Sequence, residues 1–151
     1  MRQIQPWLGL GLRCFIGGYF VFAAVPKIIE PLAFATSISH YGLLPVWLVN
    51  GYALVVPWME LLVGLFLVVG FRTRLSAAFV HVMLVMFTFA VTYAVIAGLK
   101  IDCGCFGASG GEEVSWMKVA KNLGLIAMST YLWIFPSTAL ALESNSTDHN
   151  A

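Results

Sequence analysis

Long apolar runs separated by short polar ones set the pattern of this chain. The first, WLGLGLRCFIGGYFVFAAVP (7–26), is interrupted only by Arg13. The second, 46–70, contains one charge, Glu60, and the third, 75–99, contains His81 as its one group that titrates near neutrality. The fourth, 117–140, carries Lys118 and Lys121 in its opening turns and is uncharged from Asn122 to Leu142. Crossing about 30 Å of hydrocarbon takes roughly 20 helical residues at 1.5 Å each, and backbone in lipid must pair within its own segment. The pattern therefore predicts an all-α integral membrane protein, a four-transmembrane-helix bundle over residues 1–142. The polar tail 143–151 lies outside that domain. A cleaved leader is a poor description of the first run, because Arg13 would interrupt a segment already too long for one.

The connections constrain the arrangement. Residues 71–74 are so few that the second and third spans must be antiparallel neighbours. Residues 27–45 (KIIEPLAFATSISHYGLLP) are too polar and broken to span. Pro31 and Pro45 bracket a piece suited to a short interfacial helix, with Tyr41 at headgroup depth. Pro57 is expected to kink the second span and free a carbonyl. Gly9, Gly11, Gly17 and Gly18 permit close helix approach, within the bundle or between protomers alike. Four spans put both termini on one side of the membrane, opposite the 27–45 and 100–116 loops.

Composition agrees. The 151 residues are 60% hydrophobic and 10% charged, with a mean hydropathy of +0.90, whereas soluble domains are about 25% charged. A net charge of +1 supplies no field for nucleic acid. Arg2, Arg72 and Arg74 on the terminal side stand against Lys27, Lys100, Lys118 and Lys121 on the loop side, so counting basic residues hardly orients the chain. The dense basic turn at 72–74, and the freedom of Lys118 and Lys121 to snorkel, tip it toward cytoplasmic termini.

The 100–116 loop holds the most specific chemistry, Cys103-Gly104-Cys105. Residues two apart have Cα atoms within about 7 Å, inside the outer limit for a disulfide, and Gly104 allows a turn that brings them closer. So small a ring is tight, and strained, exposed disulfides are the exchanging kind. Closing it removes little chain entropy, which argues against stapling. Lys100 would lower a thiolate pKa and Asp102 would raise it, leaving the poise open. Three uses remain: a thiol–disulfide redox pair, a soft Cu(I) site, or an inert pair. The scattered methionines form no metal-binding tract. Cys14, deep in the first run, reads as a small buried hydrophobe.

Charges within spans require partners. Counted from the terminal side, Arg13, Glu60 and His81 lie at depths of about 10, 15 and 9 Å. The expectation is an Arg13–Glu60 ion pair with His81 nearby, an intramembrane polar cluster that locks helices together in the half opposite the cysteines.

Several of these residues fall into a known arrangement. Arg13, FAAVPK ending at Lys27, YGLLP from Tyr41 to Pro45, PWMELLVGLFLVVG around Glu60, GLKIDCGCFG, and the pair Lys121–Asn122 resemble the MauE (methylamine utilisation) branch of the DoxX-like membrane proteins. DCGCFG is the specific element. The resemblance implies a four-helix membrane protein of the bacterial inner (cytoplasmic) membrane, with its Cys loop facing the periplasm or exterior. It also implies work beside a thioredoxin-like partner in maturing a disulfide-rich enzyme subunit. By that similarity Cys103 and Cys105 are the catalytic positions of a thiol–disulfide oxidoreductase component, with Lys100, Asp102, Gly104, Phe106 and Gly107 as the supporting loop. The expected partners are a periplasmic thioredoxin-like protein or a disulfide-containing client, together with membrane lipid. A quinone is a candidate cofactor, and Tyr41, Trp47, Phe106 and Trp116 are aromatic residues suited to line its pocket. No metal is assigned. Two alternatives stay open: a non-catalytic scaffold docking a redox or metalloprotein, and copper handling.

Overall fold

The computed structural model describes residues 4–101 and 113–135. Nearly all of them lie in five helices: α1 (Ile4–Ile29), α2 (Pro31–His40), α3 (Val46–Val69), α4 (Thr73–Ile96) and α5 (Trp116–Ile134). Three are long and apolar enough to cross a membrane: α1 over Trp7–Ile29, α3 and α4. α5, expected as a fourth span over 117–140, falls below that standard within its 19 described residues. Lys118, Lys121 and Asn122 make its first turns polar.

The apolar surface faces outward. Only 28% of the most apolar stretch of α3 is buried within the bundle, and the same share of α4. Phe15 and Phe22 of α1, Leu54 and Trp58 of α3, and Phe79 and Phe89 of α4 are exposed. Water would penalise each of these side chains by about 1.5–3 kcal/mol, whereas hydrocarbon does not. This is a membrane protein.

Successive long helices run in opposite directions. α1 packs chiefly on α3, and α4 chiefly on α5. The α3–α4 turn joins the two pairs, so these sequence neighbours touch less than their partners do. Ile16, Phe20, Val63, Leu67, Ala77, Val80, Leu84, Leu125 and Leu132 from all four helices form the main core. α2 is the short helix expected in the 27–45 connection. It buries Phe34 and Ala35 against Val49 and Ala53 of α3. Tyr41, expected at headgroup depth, is buried within the protein. α3 continues through Pro57 as one helix, with the ring fully buried.

Gly17 marks the closest helix approach. A Cβ there would stand 2.6 Å from Val68 Cγ2 and 2.7 Å from the Gly64 carbonyl, and one at Gly64 would stand 2.9 Å from the Gly17 carbonyl. The two backbones therefore meet where neither residue has a side chain. Gly11 and Gly18 look onto open space. Of these three, only Gly17 serves the intramolecular crossing.

Gly17→Ala should therefore overpack the crossing and cost about 1–3 kcal/mol. Gly18→Ala, which meets nothing, should be neutral or stabilise by about 0.5–1 kcal/mol through helix propensity. Thermal unfolding of the two variants in detergent micelles checks the contrast, and equal losses would contradict it.

Candidate functional site

The cysteine loop begins and ends at one place. After α4, the Leu99 N–H returns to the Ala94 carbonyl at 3.0 Å, and Lys100 is exposed. The Val114 N–H donates to the Ile101 carbonyl at 3.0 Å, tying the two strands of the loop together. Val114 packs on the Val91–Val119 cluster, which anchors this foot to the ends of α4 and α5. Asp102, Cys103, Gly104, Cys105, Phe106 and Gly107 lie outside the described residues. Of the expected quinone-lining aromatics, Trp47 and Trp116 are exposed whereas Tyr41 is buried, so these three do not share one lining.

The intramembrane charges pair differently from expectation. Glu60 binds Lys27, not Arg13: Lys27 Nζ donates to both carboxylate oxygens, at 2.9 and 2.8 Å. The Lys27 and Glu60 side chains are 4% and 14% exposed. Phe34 of α2 covers the ammonium, its ring centroid 5.0 Å from Nζ. Glu60 stands about 21 Å from the start of α3 and about 14 Å from its end, so the pair lies deep in the span. The reason for the exchange is side-chain direction. Cα–Cβ bonds tilt toward a helix's own N-terminus, so in antiparallel α1 and α3 the Arg13 and Glu60 side chains diverge, whereas those of Lys27 and Glu60 converge.

Arg13 instead caps α3. Its guanidinium donates from Nη2 to the Val68 carbonyl at 3.3 Å, with the residue 1% exposed. A Cβ at Gly70 would stand 2.8 Å from three guanidinium atoms, and Gly70 adopts φ 80°, which favours glycine in any case. A cation here meets the unsatisfied carbonyls and the negative end of the α3 dipole. The Phe71 N–H reaches back to Phe66 at 2.9 Å, and the two rings pack 5.4 Å apart. This is the hydrophobic contact that accompanies such helix ends.

His81 belongs to a third place. Its Nδ1 lies 3.2 Å from both Ser129 Oγ and Thr130 Oγ1 of α5. Both hydroxyls donate to the Ile126 carbonyl, at 2.9 and 2.7 Å, which leaves their oxygens able to accept from the imidazole. The Trp133 ring packs 5.8 Å away. The expected cluster is thus three separate clasps, joining α1 to the end of α3, α1 to mid-α3, and α4 to α5.

Lys27 escaped the sequence reading, which assigned it to the loop surface. A signal was present: residues 13, 16, 20, 23, 24 and 27 fall three or four apart and form the buried stripe of α1. Asn122 and Lys118 likewise lie on the buried stripe of α5 with Val119, Leu125, Ser129 and Leu132. Cys14, expected inside, is exposed on the outer face of α1.

A small cleft opens beside the loop foot, at the start of α5. It measures about 290 Å³ and is lined by Glu113, Ser115, Met117, Lys118 and Lys121.

Residues 5–135 match the family described as methylamine utilisation protein MauE. This chain belongs to the MauE family. It is 32% identical over 134 residues to the methylamine utilization protein MauE of Methylorubrum extorquens, covering 87% of this chain and 72% of the relative. The MauE protein of Paracoccus denitrificans is 34% identical over 127 residues, covering 83% and 68%. That of Methylophilus methylotrophus is 29% identical over 147 residues, covering 95% and 77%. No solved structure matches. The family match takes in all five helices, the paired residues Lys27 and Glu60, and both loop cysteines.

Removing one member of the deep pair leaves the other charge buried and alone, a loss of about 3–5 kcal/mol in comparable buried pairs. Lys27→Met and Glu60→Leu should each destabilise by about that amount. The Lys27→Met/Glu60→Leu double variant should recover most of it. Unfolding midpoints in micelles measure the cycle, and additive losses would show that the two charges do not act as a unit.

Proposed function

We propose that this MauE-family protein is the membrane component of a thiol–disulfide pathway serving methylamine utilisation, with Cys103 and Cys105 as its exchanging pair. The observation that carries the reading is the tie between Val114 and Ile101 at 3.0 Å. It supports a Cys-Gly-Cys loop held at one end of the bundle, within reach of a soluble partner. The family relatives' name supports the pathway.

In this reading α5 is the fourth span, both termini are cytoplasmic, and the loop faces the periplasm. Lys27 supports that orientation indirectly. Bonded to Glu60 inside the bundle, it drops out of the loop-side tally of free basic residues, which removes one charge that opposed cytoplasmic termini.

The exchange proceeds by sulfur displacement. A client thiolate attacks one sulfur of the Cys103–Cys105 disulfide, forming a mixed disulfide and releasing the other cysteine as a thiolate. A second client thiolate attacks the client sulfur of that mixed disulfide. The client leaves oxidised and the pair is reduced, two electrons and two protons having left the client dithiol. Run in reverse, the same steps reduce a client. The partner is a periplasmic thioredoxin-like protein or a disulfide-containing client. A membrane quinone, which accepts two electrons and two protons, suits reoxidation of the pair.

Substitution of a single cysteine tests the exchange. Either Cys103→Ser or Cys105→Ser should accumulate a mixed disulfide with the partner, visible as a reducible band on non-reducing electrophoresis. If neither variant traps a partner in cells that require the protein for growth on methylamine, the exchange reading fails. Should growth also survive loss of both cysteines, a scaffold role replaces it.

A further inference from the structure

α2 is fastened to the bundle differently from the other helices. Its hydroxyls, on Thr36, Ser37 and Ser39, donate to the carbonyls of Leu32, Ala33 and Thr36, all within α2. Among the described residues, no hydrogen bond runs from an α2 side chain to another helix. The helix rests on α3 through Phe34 and Ala35 against Val49 and Ala53, with Ile38 and Leu44 alongside. Its electrostatic tie to the bundle is the Phe34 ring, whose centroid lies 5.0 Å from the Lys27 ammonium.

In a bilayer such a fastening is weak. Lipid tails are as apolar as the α3 surface, so an apolar helix face gains little by choosing protein over lipid. An interfacial helix can set the same face in the acyl boundary and keep its polar side among the headgroups. Thr36, Ser39 and His40 are already exposed on α2. The buried Ser37 carries its acceptor, the Ala33 carbonyl, with it. Lifting α2 from α3 therefore orphans no polar side chain of its own. The contacts of α1 with α3 are of another kind, a glycine crossing at Gly17 and Gly64 and the Lys27–Glu60 bonds.

The chain also has the slack to let α2 move. Glu30 leaves helical geometry at ψ 67°, and Pro31, lacking an N–H, cannot bond the Lys27 carbonyl. The Lys27 side chain fixes α1 that far, whereas Ile29 and Glu30 beyond it are exposed. Unwinding residues 28–30 from 1.5 to about 3.3 Å each lengthens the link by about 5 Å. Tyr41, buried directly after α2, and Gly42, at φ 63°, form a pivot at the far end. We infer that α2 is a hinged lid over the Lys27–Glu60 pair, latched by Phe34 and opening at its N-terminal end into the membrane interface. Raised, it uncovers the ammonium and turns a sealed ion pair into one open to the loop-side interface. The lid is a property of the fold and stands whether or not the cysteines exchange.

Pulsed electron spin resonance on the full-length chain in lipid nanodiscs tests the lid. Cys14, Cys103 and Cys105 are replaced by serine, and spin labels on Leu32→Cys and Phe89→Cys, both exposed sites, follow α2 against α4. Labels on Val25→Cys and Phe89→Cys follow α1 in the same way. The α2 pair should show two distances about 5 Å or more apart, and the α1 pair one. Phe34→Leu, which removes the ring and keeps an apolar side chain, should raise the ratio of open to closed about two- to fivefold, the worth of an exposed cation–π contact. The Lys27→Met/Glu60→Leu double variant, which removes the cation, should do the same. Neither change should split the α1 distance.

A single α2 distance in the parent and in Phe34→Leu alike would overturn the lid. Two distances in a ratio that neither variant changes would overturn Phe34 as its latch. A second distance appearing in both label pairs together would show α1 and α3 separating, which overturns a lid that moves on its own. Should Phe34→Leu not fold, Phe34→Met makes the same comparison.

Discussion

The contact between the α1 and α3 backbones at Gly17 and Gly64 determines much of what surrounds it. With no side chain on either side, the helices approach until the Gly17 position stands against Val68 and the Gly64 carbonyl. That contact sets the antiparallel register, and the register decides which polar groups meet. Ten residues after Gly17, Lys27 comes within reach of Glu60. Four residues before it, Arg13 arrives at the last carbonyls of α3. A bulkier residue at the crossing would separate the helices and loosen both clasps. In a bilayer, where lipid tails are as apolar as leucine, such close packing and the polar contacts it permits hold helices together.

The helices were largely legible in the sequence because a single physical requirement produced them. About 20 apolar residues with internal backbone pairing leave little choice of structure. The short helix between Pro31 and Pro45 was readable for a related reason, since prolines mark where helices can begin. α5 was the harder case. Its outer face is apolar, but Lys118, Lys121 and Asn122 dilute its first turns, and length alone could not classify it. The pairing of charges was misread because depth was counted along Cα positions. For a long side chain such as lysine or arginine, the direction of the Cα–Cβ bond moves the charge by more than a turn. Lys27 was overlooked because it follows a proline at the end of an apolar run, where surface lysines are common. Its place on the buried stripe of α1 would have corrected that. The cysteine pair was visible from residue types and spacing, whereas the state of a dithiol depends on geometry and partners that spacing alone does not specify.

The bundle buries polar groups along its whole axis. Toward the termini, an apolar core of Ile16, Leu67, Val80 and Leu132 is joined by the His81 clasp, which is satisfied within the protein. The buried Arg13 guanidinium at the end of α3 lies in this half as well. Lys27 and Glu60 pair deep in the span, and Lys118 and Asn122 are buried in the first turns of α5. α2 closes the loop-side half from the side, its Phe34 lying on the Lys27 ammonium.

The sequence separation of 33 between Lys27 and Glu60 also bears on how the protein is made. Synthesis delivers the lysine first, and α1 reaches the translocation machinery with its ammonium and the Arg13 guanidinium both lacking their α3 partners. At about 5–20 residues per second, a few seconds pass before Glu60 is polymerised. Through that interval α1 carries two cations whose cost in hydrocarbon is several kcal/mol. The α1–α3 hairpin, with α2 as its elbow, is therefore the smallest stretch of chain in which both cations meet their α3 contacts.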